Sequence, residues 1–81
     1  MKGALRVLSG KEVSDILAKF GFSIHHTSSS HLKLRREGAG GRETLIVPAH
    51  SSLARGTLRA IYTQACRYIP QAELRPHFYN E

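Results

Sequence analysis

Residues 32–35 read Leu-Lys-Leu-Arg, and this strict alternation admits few structures. A period of two is the period of a β-strand, whose successive side chains leave on opposite faces. Leu32 and Leu34 must then be covered while Lys33 and Arg35 reach water, so the strand belongs to a sheet with one buried and one open face. His31, two residues before Lys33, falls on the open side with the cations. An imidazole in line with two cations suits a polyanion: the cations hold phosphate and the imidazole moves a proton.

On either side the period changes to that of a helix. Ser9-Gly10-Lys11-Glu12 is a capping box, and Val13, Ile16, Leu17 and Phe20 follow at i, i+3, i+4, i+7. A helix is predicted from about Gly10 to Phe20, with Gly21 supplying the left-handed residue after it. Phe22 to Thr27 alternates as a strand with Phe22 and Ile24 inward, and Ser28-Ser29-Ser30 reads as a turn. His31 to Arg36 is the second strand, Gly38 to Gly41 a loose loop, and Glu43 to Val47 a third strand ended by Pro48. From about Arg55, Leu58, Ile61, Tyr62 and Ala65 form a second apolar stripe. Pro70 opens a short final helix through Leu74, which Pro76 limits, leaving a frayed tail at 77–81 whose aromatics dock back.

Short connections make the three strands antiparallel neighbours, and both amphipathic helices are needed on one face to bury Leu32, Leu34, Phe22 and Ile24. The expected fold class is α+β: an α-β-β-β-α chain with a three-stranded antiparallel sheet, two helices on one face and a short C-terminal helix. This is the layout of double-stranded-RNA-binding domains. With 81 residues, a single domain over 1–81 is expected.

Charge narrows the partner. Twelve Lys and Arg against six Asp and Glu give +6, which attracts nucleic acid through phosphate contacts and counterion release. One cysteine, Cys66, excludes an internal disulfide framework. The opening residues lack the apolar length of a signal peptide, and no apolar run approaches the ~20 residues that span a bilayer, so a cytoplasmic location without membrane contact is expected.

Three segments then stand in order: Ser30-His31 opening a strand, Val47-Pro48-Ala49-His50, and Gly56-Thr57-Leu58-Arg59-Ala60-Ile61 leading the second helix. Together with the amphipathic first helix, this set resembles the HicA-type toxins, small ribonucleases of bacterial toxin–antitoxin pairs, over about Ser9 to Ala65. The resemblance implies mRNA cleavage by a His-dependent, metal-independent mechanism that needs no cofactor. It also implies silencing by an acidic antitoxin of the HicB kind. His31 takes the catalytic position, with Ser30, Lys33, Arg35 and His50 as substrate-binding candidates. Ser29 stands where the family usually has glycine. If a positive φ is needed there, Ser29 strains the turn.

Each reading has a plainer rival. His31 also fits a solvent-facing strand residue, and His50, in the loop after Pro48, either orients RNA or satisfies backbone groups. His25 shares the face of Ser23 and is placed to line the groove, whereas His26 is expected toward the helix-covered side. Histidines 25, 26, 31 and 50 invite a zinc reading but lack a cysteine pair or a His-x-x-x-His spacing. Cys66 reads as a small buried hydrophobe. The three serines have no nucleophile elbow around them, and Ser30 suits a phosphate oxygen. Arg55, Arg59 and Arg67 form a basic edge on the second helix. The competing function is a non-catalytic double-stranded-RNA-binding module, which would not need His31; a third is an interaction subunit that only binds a partner protein.

Overall fold

The computed structural model describes residues 3–80. Met1, Lys2 and Glu81, and with them both ends of the expected domain and the last residue of the expected tail, lie outside the described residues. In chain order the elements are β1 (Ala4–Leu5), α1 (Gly10–Ala18), β2 (Ser23–Thr27), β3 (His31–Gly38), β4 (Gly41–Pro48), α2 (Arg55–Ala65), α3 (Gln71–Phe78) and β5 (Tyr79–Asn80). Strands β2, β3 and β4 form an antiparallel sheet in that order, and β1 and β5 form a separate two-stranded ribbon. The α+β class and the α-β-β-β-α layout are thus found. Among the described residues, no helix is long and apolar enough to cross a membrane.

Helix α1 begins as its sequence dictates. The Ser9 hydroxyl accepts from the Glu12 N–H at 3.0 Å, and the Glu12 carboxylate accepts from the Ser9 N–H at 2.8 Å, so two otherwise orphaned donors are satisfied. At its far end Phe22 N–H donates to the Leu17 carbonyl and Gly21 N–H to that of Ala18. This Schellman closure requires a left-handed residue, and Gly21 supplies it with φ of 95°.

The alternation of β3 sorts its residues as expected: Leu32 and Leu34 are buried, and His31 is exposed. Leu45 and Val47 of β4, Val13, Ile16 and Leu17 of α1, and Leu58, Ile61, Tyr62 and Ala65 of α2 join them in one apolar core running from Leu5 to Phe78. Arg36 is also turned to the helix side. Its guanidinium pairs with Glu43 at 2.7 Å, donates to the carbonyls of Phe20 and Tyr68 at 2.8 Å each, and lies 4.9 Å from the centre of the Phe22 ring. One cation thereby ties the ends of both main helices to the sheet.

Five expectations are corrected. Ile24 is not covered: it pairs with Leu34, but on the edge strand β2 it remains 50% exposed. The loop at 38–41 is tight rather than loose, because Gly38 pairs directly with Gly41 and both strands run to the turn. Pro76 does not limit α3, which continues to Phe78. Pro76 sits on the solvent side, while Leu74 and Phe78, four residues apart, are fully buried and hold the helix through it. The tail is accordingly not frayed: β5 pairs with β1, and Arg6 donates to the His77 carbonyl at 2.8 Å. Cys66 is only partly buried against the core.

Candidate functional site

The open face of the sheet carries what the helices leave uncovered. Directly paired residues of antiparallel strands share a face, so the register assigns Ser23 and His26 of β2, His31, Lys33, Arg35 and Glu37 of β3, and Arg42, Thr44 and Ile46 of β4 to this side. His26 is therefore not on the helix-covered side. The pairing slips between Ile24 and His26, and this bulge sets two residues, His25 and His26, against the single Lys33.

His31 is held from one side only. Its Nδ1 lies 3.0 Å from the Ser30 hydroxyl oxygen, which steadies the ring, and Nε2 has no hydrogen-bond partner among the described residues. The backbone beneath it is set by Ser28. The Ser28 N–H donates to the His31 carbonyl at 3.0 Å, and the Ser28 hydroxyl accepts from the His31 N–H at 3.1 Å. On the other flank Ala49 N–H donates to the Ser30 carbonyl at 2.8 Å, joining the serine turn to the end of β4. No non-glycine residue has a positive φ among those described, so the serine turn, Ser29 included, carries no left-handed backbone strain.

His50 follows β4 but does not join His31. Its carbonyl accepts from Gly10 N–H at 2.9 Å, and it lines a cavity of about 460 Å³ with Ser9, Lys11, Leu32, Ala49 and Ser51. Among the described residues no hydrogen bond links the His31 and His50 imidazoles. Gly10 makes this arrangement possible: any Cβ there would run into the Pro48 carbonyl, so only glycine lets α1 start against the end of β4.

At the other end of β3, a groove of about 270 Å³ is bordered by Gly21, Ser23, His25, Arg35, Arg36, Glu37 and Arg42. His25 was expected to line it, and it does. The charge of Arg35, followed by desolvation and then by Lys33, Arg42 and His26, holds the His25 pKa below its ordinary 6.5. The Nε of Arg35 is buried without a hydrogen-bond partner. Arg42 pairs only loosely with Glu37, at 3.7 Å with both side chains mostly exposed. Sequence reasoning passed over Arg42, which pattern alone makes an ordinary hairpin charge; its only signal is its place opposite Glu37 across the turn.

The basic edge on α2 is realised in part. Arg55 and Arg59 line a cavity of about 580 Å³ with Gln71, Arg75 and Tyr79, but Arg67 does not. Among the described residues no three His, Cys, Asp or Glu side chains come together as a metal-ligand set.

A family model described as HicA toxin of bacterial toxin–antitoxin matches residues 10–66 of the chain. The match takes in α1, the serine turn, His31, the cation row, the His50 loop and all of α2. The chain belongs to the HicA toxin family, and with that comes a place in a toxin–antitoxin system and an antitoxin partner. No curated protein and no solved structure matches it.

Proposed function

We propose that this toxin is an endoribonuclease that cleaves mRNA with His31 as its proton-transfer group and no metal ion. The observation that carries the reading is the exposed His31 ring, steadied through Nδ1 by Ser30 and open at Nε2, at the head of the row Lys33–Arg35. RNA contains its own nucleophile. His31 Nε2 takes the proton of a 2′-hydroxyl, the 2′-oxygen bonds to the adjacent phosphorus, and the bond to the 5′-oxygen breaks. That oxygen takes a proton from water, leaving a 2′,3′-cyclic phosphate and a 5′-hydroxyl. Lys33 and Arg35 hold the phosphates and stabilise the charge that develops, and Ser30 adds a hydroxyl contact. His50, off this face, contacts RNA that reaches around the end of β4. Exposed Ile46, paired with Lys33, offers an apolar surface for a base.

The partner is read from the same face. An acidic antitoxin of the HicB kind, covering His31 and offering carboxylates to Lys33 and Arg35, blocks chemistry and RNA together. Its association is fast and salt-sensitive, and it binds His31→Ala as tightly as the native toxin. The place of action is the cytoplasm, where mRNA is found.

The test is incubation of the purified protein with a long RNA, with and without EDTA, beside His31→Ala. Cleavage that survives EDTA and disappears in the variant supports the reading. Binding without cleavage would instead make the protein a non-catalytic RNA-binding module, and activity restored only by an added metal would replace the His-only mechanism.

A further inference from the structure

We propose that the groove formed by Ser23, His25, Arg35 and Arg42 is a second phosphate subsite, which holds an RNA phosphate two nucleotides along from the one at His31. The inference rests on the nuclease reading of His31 and adds the path of the substrate. His31, Lys33 and Arg35 leave the same face of β3 two residues apart, a step of about 6.8 Å at the usual strand rise. That step is close to the distance between successive phosphates of an extended single strand. RNA laid along β3 therefore meets a cation at each phosphate, with the groove about 14 Å from His31.

Three observations mark the groove as suited to an anion. Arg35 lines the groove, and its buried Nε has no hydrogen-bond partner, so no protein acceptor holds the guanidinium back from a ligand. The imidazole of His25 reports a positive potential, since Arg35, Lys33 and Arg42 all act to discharge it. The β2 bulge adds a residue to an edge strand at this point, which brings a second imidazole to the face beside Lys33. Neutralisation is incomplete. Arg36, which borders the groove, is committed to Glu43, Phe20 and Tyr68, and Glu37 alone is set against Arg42 at 3.7 Å. A phosphate fits better than an isolated carboxylate, because Arg35 and Arg42 approach from adjacent strands and supply donors to more than two oxygens.

The experiment measures binding, so that it does not depend on cleavage. Fluorescein-labelled oligouridylates of two to eight nucleotides are titrated against His31→Ala protein by anisotropy, with Arg35→Gln and Arg42→Gln introduced in turn. Affinity is expected to step up about five- to tenfold at the length that first spans both sites. Each groove variant is expected to remove the step and to lower the magnitude of the salt slope by about 0.7. A neutral methylphosphonate two positions from the scissile phosphate abolishes the step in the native groove and changes nothing in Arg35→Gln. In parallel, the His25 ring resonances of His31→Ala protein shift with a spanning oligonucleotide and not with a dinucleotide. A smooth length dependence, or a step that both variants keep, overturns the subsite. So does a pair of variants that weaken only antitoxin binding. Cleavage assays then separate the two readings. Protein that shows the step but never cuts RNA refutes the nuclease and supports the subsite, and protein that cuts RNA without a step does the reverse.

Discussion

Arg35 and Arg36 are neighbours in the chain and opposites in the molecule. Arg36 faces the helices, where a carboxylate, two backbone carbonyls and an aromatic ring occupy it fully. Arg35 faces the open side, where its Nε has no partner. The same chemistry thus serves architecture at one position and is left available at the next, and the period of the strand alone decides which. The difference extends to whole faces. Leu32, Leu34 and Arg36 hold the helices, while His31, Lys33 and Arg35 hold nothing of the fold and remain free to meet a ligand.

The sharpest way to break this division is to remove an outward residue and look for a structural effect. His31→Gln is expected to lower RNA cleavage by about 10²–10⁴-fold, the usual contribution of a general base, with the melting temperature unchanged. A variant that unfolds, or that cleaves at the native rate, would end the claim that this face is free of structural duty. The inward counterpart is Leu34→Ala, which leaves a cavity under the centre of the sheet and is expected to cost roughly 2–5 kcal/mol in denaturant unfolding. Should Leu34→Ala prove neutral, the strand is in the wrong register and the face with it.

The arginine pair gives the closest comparison. Arg36→Ala strands Glu43, which is largely buried, together with two helix-end carbonyls, and is expected to cost about 2 kcal/mol. Arg35→Ala loses no protein hydrogen bond and is expected to change stability by less than about 0.5 kcal/mol while weakening RNA binding. Chemical denaturation of the two variants side by side checks both figures, and equal losses would contradict the assignment.

The same contrasts account for how much of the molecule is legible in its sequence. Strand β3 and helices α1 and α2 are legible because each repeats one period over several residues, and the capping box at Ser9 announces a start. The β1–β5 ribbon is not, since two residues at each end carry no periodic signal and pair across nearly the whole chain. Pro76 misleads because its local effect is outweighed by the buried Leu74 and Phe78, whose burial no local pattern reveals. At the site, His31, Lys33 and Arg35 are placed on one face by alternation, and Ser30 by its turn. His26 is misplaced because a bulge shifts the phase of a strand without any mark in a His-His pair, and the bond from Gly10 N–H to the His50 carbonyl, which ties that loop to the start of α1, joins residues forty apart that no local pattern links.

The smallest effect tests the open face most finely, through the His25 imidazole. In the free protein Arg35 contributes most to lowering its pKa, ahead of desolvation, Lys33 and Arg42, with His26 beside it on β2 and Glu37 across the groove. Arg35→Gln should therefore raise the NMR titration midpoint of His25 toward its ordinary value, whereas Arg36→Gln, whose charge is paired with Glu43, should leave it in place. A bound phosphate acts in the same direction as loss of Arg35, because it favours the imidazolium. Since the pKa is then higher in the complex than in the free protein, binding takes up a proton. RNA affinity must rise as pH falls through the window between the two midpoints and level off on either side of it. His25→Ala removes that contribution while His31 remains, so comparing the pH dependence of oligonucleotide binding in the two proteins isolates the groove. A His25 midpoint that ignores both Arg35→Gln and RNA would mean that the open face is less strongly charged than its arginines suggest, and the contrast with Arg36 would reduce to packing alone.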